Sequence, residues 1–464
     1  MHKKLKTCLA AVLIFATPVT GLQQQEEGSS VAGVETSTTD QVPAPADRIV
    51  QSLTNTELRS LLSDALIRNP GVARASAQAR AADHRAPQVR TLPDPVAELT
   101  AWLKGSQTRT GPQVLTLRWT QALPWLGKLD SKEKIALLEA SALDLEAEAT
   151  RLALVTTVRH LYYELAFLAK YKEITLDFLD HLRHHEEISQ LRYATGIGAS
   201  QDVVKIQAEI TVAESLQLDI DQRRIDLEAR LNAVRDRPAS TFVLPAVLQD
   251  EVATDLDFRL LLETAEQSRP EVAAVEARIA AAEARVDLAG KDYRPDFKVG
   301  LTYTFVDPRE DVGAVVSPPE DNGDDIFGIQ GGISIPIWRK KLKAGVGEAS
   351  ELELSAREER RELLAGIEAA VGDLMQRIPL TWQQLRLLDD ILILQAEESV
   401  KSVKSGYVTG TLNSLDLLDA AHVLFEAEIA IARARADYAL RLAQLEGEVG
   451  RPLVEFPSME SSES

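Results

Sequence analysis

The spacing of apolar and polar positions changes several times along the chain, and each change marks an element. Residues 297–305 alternate with period two: Phe297, Val299, Leu301, Tyr303 and Phe305 share one face, and Lys298, Gly300, Thr302 and Thr304 share the other. Residues 327–335 repeat the pattern, with Phe327, Ile329, Ile333 and Ile335 opposing Gly328, Gln330, Gly332 and Ser334. Leu115, Leu117 and Trp119 oppose Thr116, Arg118 and Thr120, while 96–103 alternates less cleanly. Such alternation predicts half-buried strands, here over 96–103, 113–121, 297–305 and 326–335. Elsewhere the spacing is three-four. Leu415, Leu418, His422, Phe425, Ile429, Ala432, Ala436 and Ala439 form a stripe broken only by the histidine. A matching stripe runs from Val203 through Ile206, Ile210, Ala213, Gln217, Ile220, Arg224, Leu227 and Leu231 to Val234. Heptad spacing predicts helices that pack on other helices.

The chain also matches itself. ALIRNPGV at 65–72 answers AEQSRPEV at 265–272; LPD at 92–94 answers RPD at 294–296; LPWLGK at 123–128 answers IPIWRK at 335–340. YATGIGASQD at 193–202 answers YVTGTLNSLD at 407–416, and RP at 237–238 answers RP at 451–452. Five landmarks in the same order indicate a duplication. The repeats span 56–238 and 259–452, with a linker or equatorial segment at 239–258. Each contains a leading helix (71–90; 271–293), two strands, a very long helix (131–190; 342–405), a turn, and a returning helix (200–235; 414–449).

At 1.5 Å per residue the long helices span about 90 and about 96 Å. A leading helix stacked on a returning one covers a similar length. Asp130 with Glu133 suits a capping box, Ser200 and Ser414 suit caps for the returning helices, and Pro379 should kink the second long helix. Gly196, Gly198 and Gly410 permit the reversals at the turns. Pro93, Pro95, Pro124, Pro295 and Pro336 mark the junctions between strands and helices.

The strands approach the length that a tilted strand needs to cross a bilayer. Their polar side is small, as a water-filled lumen requires. The faces expected against lipid carry Leu115, Leu117, Trp119, Val299, Leu301, Tyr303, Ile329 and Ile333. Four strands cannot close a barrel, and an open edge in lipid leaves unpaired backbone groups that cost several kcal/mol each. The chain is therefore expected to oligomerise, three copies giving twelve strands. The hairpin loop at 306–325 is long and acidic, which suits an outer face.

Composition narrows the class. Hydrophobic residues make up 45% and aromatics only 5%, as in chains dominated by long helices. Lys3, Lys4 and Lys6 followed by the apolar run 8–16 read as a signal peptide ending near Gly21, too short to span a bilayer. Removing residues 1–21 takes three lysines and no acids from a net charge of −20, leaving −23. That balance argues against nucleic acid as a partner. Cys8 is the only cysteine and precedes the apolar run, so neither a lipobox, an internal disulfide nor a cysteine metal site is expected. Residues 22–55 read as a flexible leader and 453–464 as a flexible tail.

Little suggests chemistry. His181, His184 and His185 stand at i, i+3 and i+4, a spacing that can share a metal, but equally a solvated face beside Asp180, Glu186 and Glu187. His84, His160 and His422 are isolated. No Walker, Rossmann, G-x-S-x-G or H-E-x-x-H pattern occurs in a fitting context. No catalytic residue, metal site or cofactor is expected. Asp202, Asp416 and Asp419 lie just past the turns, either complementing the helix dipoles or forming a ring of acids around an aperture.

With the duplicated helix–strand–strand–helix halves and the repeated turn motif in view, the sequence resembles the TolC-like outer-membrane factors over about residues 57–452. The pairs LPDP at 92–95 and PWLGK at 124–128 look most like the heavy-metal efflux branch. The resemblance implies an α+β membrane protein: four β-strands per protomer in a trimeric twelve-stranded barrel, above a long α-helical coiled-coil periplasmic tunnel. It implies a homotrimer that meets outer-membrane lipid, a periplasmic adaptor and an inner-membrane pump, and it makes the turns periplasmic tips. Tyr193, Thr195, Gly196, Ser200, Tyr407, Thr409, Gly410 and Ser414 then become docking residues. The implied function is a passive exit duct of a tripartite efflux or type I secretion system. The rival reading is a periplasmic coiled-coil scaffold without a pore.

Overall fold

The computed structural model describes residues 43–104, 107–244, 246–248, 256–409 and 411–456. The expected signal segment, most of the expected leader and tail, and Gly410 lie outside the described residues. Along the chain come α1 (Pro45–Ser52), α2 (Thr56–Arg68), α3 (Pro70–Asp83), α4 (Arg85–Arg90), β1 (Val96–Ala101), β2 (Gln113–Leu123), α5 (Lys128–Ala194) and α6 (Ser200–Val234). The second half supplies α7 (Phe258–Ser268), α8 (Pro270–Lys291), β3 (Asp296–Val306), the short α9 (Val312–Val316), β4 (Ile326–Ser334), α10 (Arg339–Leu387), α11 (Ile393–Thr409) and α12 (Ser414–Val449). A π-helical turn, Leu388–Leu392, joins α10 to α11.

Helix α5 has 67 residues, about 100 Å of continuous rod. Two shorter helices stack end to end beside it on each side. Asn69 donates to the carbonyl of Val234 at 2.8 Å, setting α3 above α6. Arg451 donates to Ser268 Oγ at 2.8 Å and Gly450 turns with φ +74°, setting α8 above α12. In the half nearer the strands the helices pack in the order α3/α4–α5–α8–α10, and in the half nearer the turns in the order α6–α5–α12–α11. The sheet has the matching order β1-β2-β3-β4, antiparallel throughout.

The core is two related clusters at mid-height plus a seam below them. Tyr162, Val158, Leu152 and Leu231 pack with Leu58 and Leu62. Their counterparts are Tyr438, Val371, Ile367, Leu445 and Leu261. Phe178, Leu182, Ile220 and Phe425 continue the packing toward the turns. Between α5 and α12 the buried guanidinium of Arg159 pairs with Glu446, which also accepts from the backbone N–H of Leu453 at 2.8 Å.

Several local expectations are corrected. The leader was expected to reach residue 55, yet Ala46, Ile49 and Val50 are buried on α1. Pro45 starts that helix, where its missing N–H is no loss, and the i, i+3, i+4 spacing gives it a face to bury. Leu453 is likewise buried, so the tail begins later than 453. The leading helix 71–90 is broken at His84. The Asp130–Glu133 capping box does not form: α5 begins three residues earlier, behind a left-handed Gly127 without a side-chain cap. Glu133 instead meets Arg90 at 2.9 Å. Helix α10 runs on through Pro379, and the regular pattern gives way only at the π turn.

Candidate functional site

At each end of the helical hairpins one carbonyl gathers the loose backbone. After α5, Arg192 O accepts from Ile197 N at 2.9 Å, Gly198 N at 3.0 Å and Thr195 Oγ1 at 3.0 Å. After α11, Gly406 O accepts from Thr411 N at 2.9 Å, Leu412 N at 3.2 Å and Thr409 Oγ1 at 3.0 Å. Thus the repeated Tyr-x-Thr leads into the same carbonyl-centred turn twice. Gly196 has φ +77°, which L side chains disfavour.

The two turns then differ in ways that join them. Tyr193 is 55% exposed, whereas Tyr407 is 7% exposed beneath the guanidinium of Arg192, whose Cζ lies 4.5 Å from the ring centroid. Ser414 Oγ donates to Asp202 at 2.7 Å. The expected serine caps are not the caps. Ser200 is the first residue of α6, behind Ala199 with no side-chain cap. Before α12, Asn413 accepts from Leu415 N and Asp416 N, while Asp416 accepts from Asn413 N at 3.0 Å, a complete capping box. An amide satisfies two free N–H groups without giving up the backbone, and that left Ser414 free to bridge the hairpins. The signal was visible as Asn413 three residues before Asp416. Of the three expected aperture acids, Asp202 and Asp416 are therefore engaged, and Asp419 is exposed. Gly406, which sequence reasoning passed over, has no room for a side chain: a Cβ there would lie 2.6 Å from Leu412 Cδ1.

At the opposite end of the molecule the register sorts the strand residues. Leu99, Leu117, Tyr303 and Phe327 form one cross-strand row, and Ala97, Trp119, Leu301 and Ile329 the next. Leu115, Val299 and Ile333 fall on the same face. Every one of these except Leu115 is exposed in the single chain. The intervening row on the other face is Glu98, Arg118, Thr302 and Gly328, with Arg118 paired to Glu98 at 3.2 Å. The LPWLGK and RPD motifs form the joint beneath the sheet. Lys128, 6% exposed, reaches Asp296 at 3.0 Å and Asp292 at 3.2 Å, and Asp296 accepts from Trp125 N at 2.8 Å.

His181 and His184 are exposed and His185 is half-buried. Burial, with His184, His181 and Lys404 nearby, pushes the pKa of His185 down. Among the described residues no three His, Cys, Asp or Glu side chains are placed to hold a metal, and no helix is long and apolar enough to cross a membrane.

The sequence profile of the outer membrane efflux proteins matches residues 61–234 and 261–451, one stretch per repeat. The chain belongs to that family. It is 23% identical over 344 residues to the outer membrane protein TolC of Vibrio cholerae, covering 71% of this chain and 74% of that protein. Among solved structures it resembles the outer membrane protein VceC of Vibrio cholerae (TM-score 0.72, 20% identity, 89% of this chain and 100% of that one). It also resembles the CmeC outer membrane channel of Campylobacter jejuni (TM-score 0.69, 14% identity, 93% and 94%). This efflux protein is thus an outer-membrane channel protein with a periplasmic helical tunnel, not an enzyme, and the scaffold without a pore is set aside.

Proposed function

We propose that the protein is a passive trimeric exit duct, closed head to tail and docked at its turns to a periplasmic adaptor and an inner-membrane pump of a tripartite efflux or type I secretion system. One observation carries the reading. At every level the free edges belong to the same two segments: β1 and β4 in the sheet, α3/α4 and α10 above, α6 and α11 below. A layer with two different edges closes by joining one to the other on the next copy. Both helical edges bear apolar residues without cover in one chain. Leu380, Leu387 and Leu394 are spaced by seven and at least 59% exposed, and Val204, Leu218 and Ile225 are at least 59% exposed. Three copies supply twelve strands, above the eight that a transmembrane barrel needs. The row of Leu117, Tyr303 and Phe327 then meets lipid, and the row of Arg118 and Thr302 meets the lumen.

Tyr193, Thr195, Gly196, Ser200, Tyr407, Thr409, Gly410 and Ser414 form the docking end in this reading. Asp419, with Asp202 and Asp416 behind it, supplies the acids nearest the aperture. LPDP and PWLGK suit the heavy-metal branch, although their residues here serve the strand–helix joint. Native mass measurement of the detergent-extracted protein, with gel mobility before and after heating, tests the assembly. A monomer that does not change mobility on heating refutes it.

A further inference from the structure

Close to the turns, the trough between α5 and α11, over α12, widens into a cavity of about 540 Å³. Its floor is apolar. Phe178 and Phe425 stack with centroids 4.3 Å apart, and Leu417 and Ala421 lie beside them. The end nearer the turns is cationic. Arg192 is held there by the ring and carbonyl of Tyr407, with Nη1 donating to that carbonyl at 3.4 Å. Lys404 lines the same end. Among the described residues neither cation meets a carboxylate, although the chain carries a net charge of −20. Arginines elsewhere between these helices are matched: Arg433 reaches Glu164 at 2.8 Å, and Arg435 reaches Asp389 at 3.1 Å. His185 also lines the cavity, and its Nδ1 is enclosed with no hydrogen-bond partner. The far end, about 22 Å away along α5, carries Asp177, Asp180 and Glu428.

We infer that this trough is a binding site for an amphiphilic aromatic acid. One carboxylate or sulfonate is neutralised by Arg192 and Lys404, the aromatic body lies over Leu417 and Ala421 toward Phe425, and any further group, facing Asp177 and Asp180, is neutral or basic. The two requirements are separable. An inorganic anion leaves the apolar floor in water, and an uncharged hydrocarbon leaves two cations without a counter-charge. A second anionic group meets the acids at the far end and is disfavoured by like charge. Charge-assisted hydrogen bonds to a guanidinium are the stronger kind, and the aromatic floor adds contact that is independent of charge. Because the ligand touches both α5 and α11, it ties the two hairpins of one protomer together. All its contacts lie within one chain, so the site stands apart from the trimeric reading, and its failure leaves that reading intact.

Isothermal titration of the full chain in lipid nanodiscs with naphthalenesulfonate, against empty nanodiscs, tests the site. Saturable binding is expected, weakened at least tenfold in Arg192→Gln with Lys404→Gln and retained in Arg192→Lys with Lys404→Arg. Ala421→Trp, which fills the floor without touching a charge, is expected to abolish it. Naphthylmethylammonium, with the same ring and opposite charge, is expected not to compete. Heat no greater than that of empty nanodiscs overturns the inference. So does binding that survives both the glutamine pair and Ala421→Trp, or an ammonium that binds as tightly as the sulfonate.

Discussion

Leu301→Arg, set against Thr302→Arg, separates the two faces of the sheet by a single residue. Leu301 lies in the middle of β3, between Trp119 and Ile329 on the apolar face, and 41% of it is exposed in one chain. An arginine facing lipid at the bilayer midplane costs roughly 2–4 kcal/mol. Three copies then cost roughly 6–12 kcal/mol in the assembled ring, comparable to the whole stability of an ordinary domain, about 5–15 kcal/mol. Thr302 points the other way, in the row of Glu98, Arg118 and Gly328. A Cβ built on Gly328 meets nothing within 4 Å, so there is room on the β4 side, away from Arg118 on β2. Leu301→Arg is therefore expected to leave little heat-modifiable oligomer in the outer-membrane fraction. Thr302→Arg is expected to assemble normally and lower single-channel conductance. Equal assembly of the two variants refutes the assignment of faces.

Other outcomes follow from the helices. Asn413→Ala removes the side-chain half of the capping box, leaving the backbone N–H of residue 413 bonded to Asp416, and should cost about 1 kcal/mol, seen as a lower Tm, while Ser200→Ala should leave Tm unchanged. Arg159→Leu or Glu446→Leu alone strands a buried charge and should cost about 3–5 kcal/mol in denaturant unfolding, with the double replacement costing much less. The hydrogen bond from Lys172 holds the Asp221 carboxyl below the usual carboxylate range, so its stabilisation is present above that range and is lost as pH falls through the lower folded value. Asp221→Asn should accordingly lower Tm at about pH 5 and shrink the further loss seen on going to about pH 3. Asp419→Asn should reduce cation preference in planar bilayers without changing the oligomer. Unchanged ion selectivity removes Asp419 from the aperture.

The sequence by itself determined the duplication, the four alternating strands, the long helices and the paired turns. Those features depend on local period and turn chemistry: alternation specifies a face as soon as a strand forms, and a threonine three residues past the gathering carbonyl helps close the same reversal at both turns. It misplaced what depends on a few backbone dihedrals or on burial by distant residues. Asn413, not Ser414, caps α12 because both side chains can accept a bond and only the backbone entry angle chooses between them. Residues 45–52 looked like leader because only three apolar side chains mark their face, and those are buried by α2 and α5 rather than by neighbours in sequence. The tertiary structure alone decided the order of layers, and with it which edges are free. It also decided that Arg192, where the second repeat has Gly406, lies over Tyr407. That contact arises because α12 sets the two hairpins side by side at equal height, a relation between residues more than two hundred positions apart that no local pattern encodes.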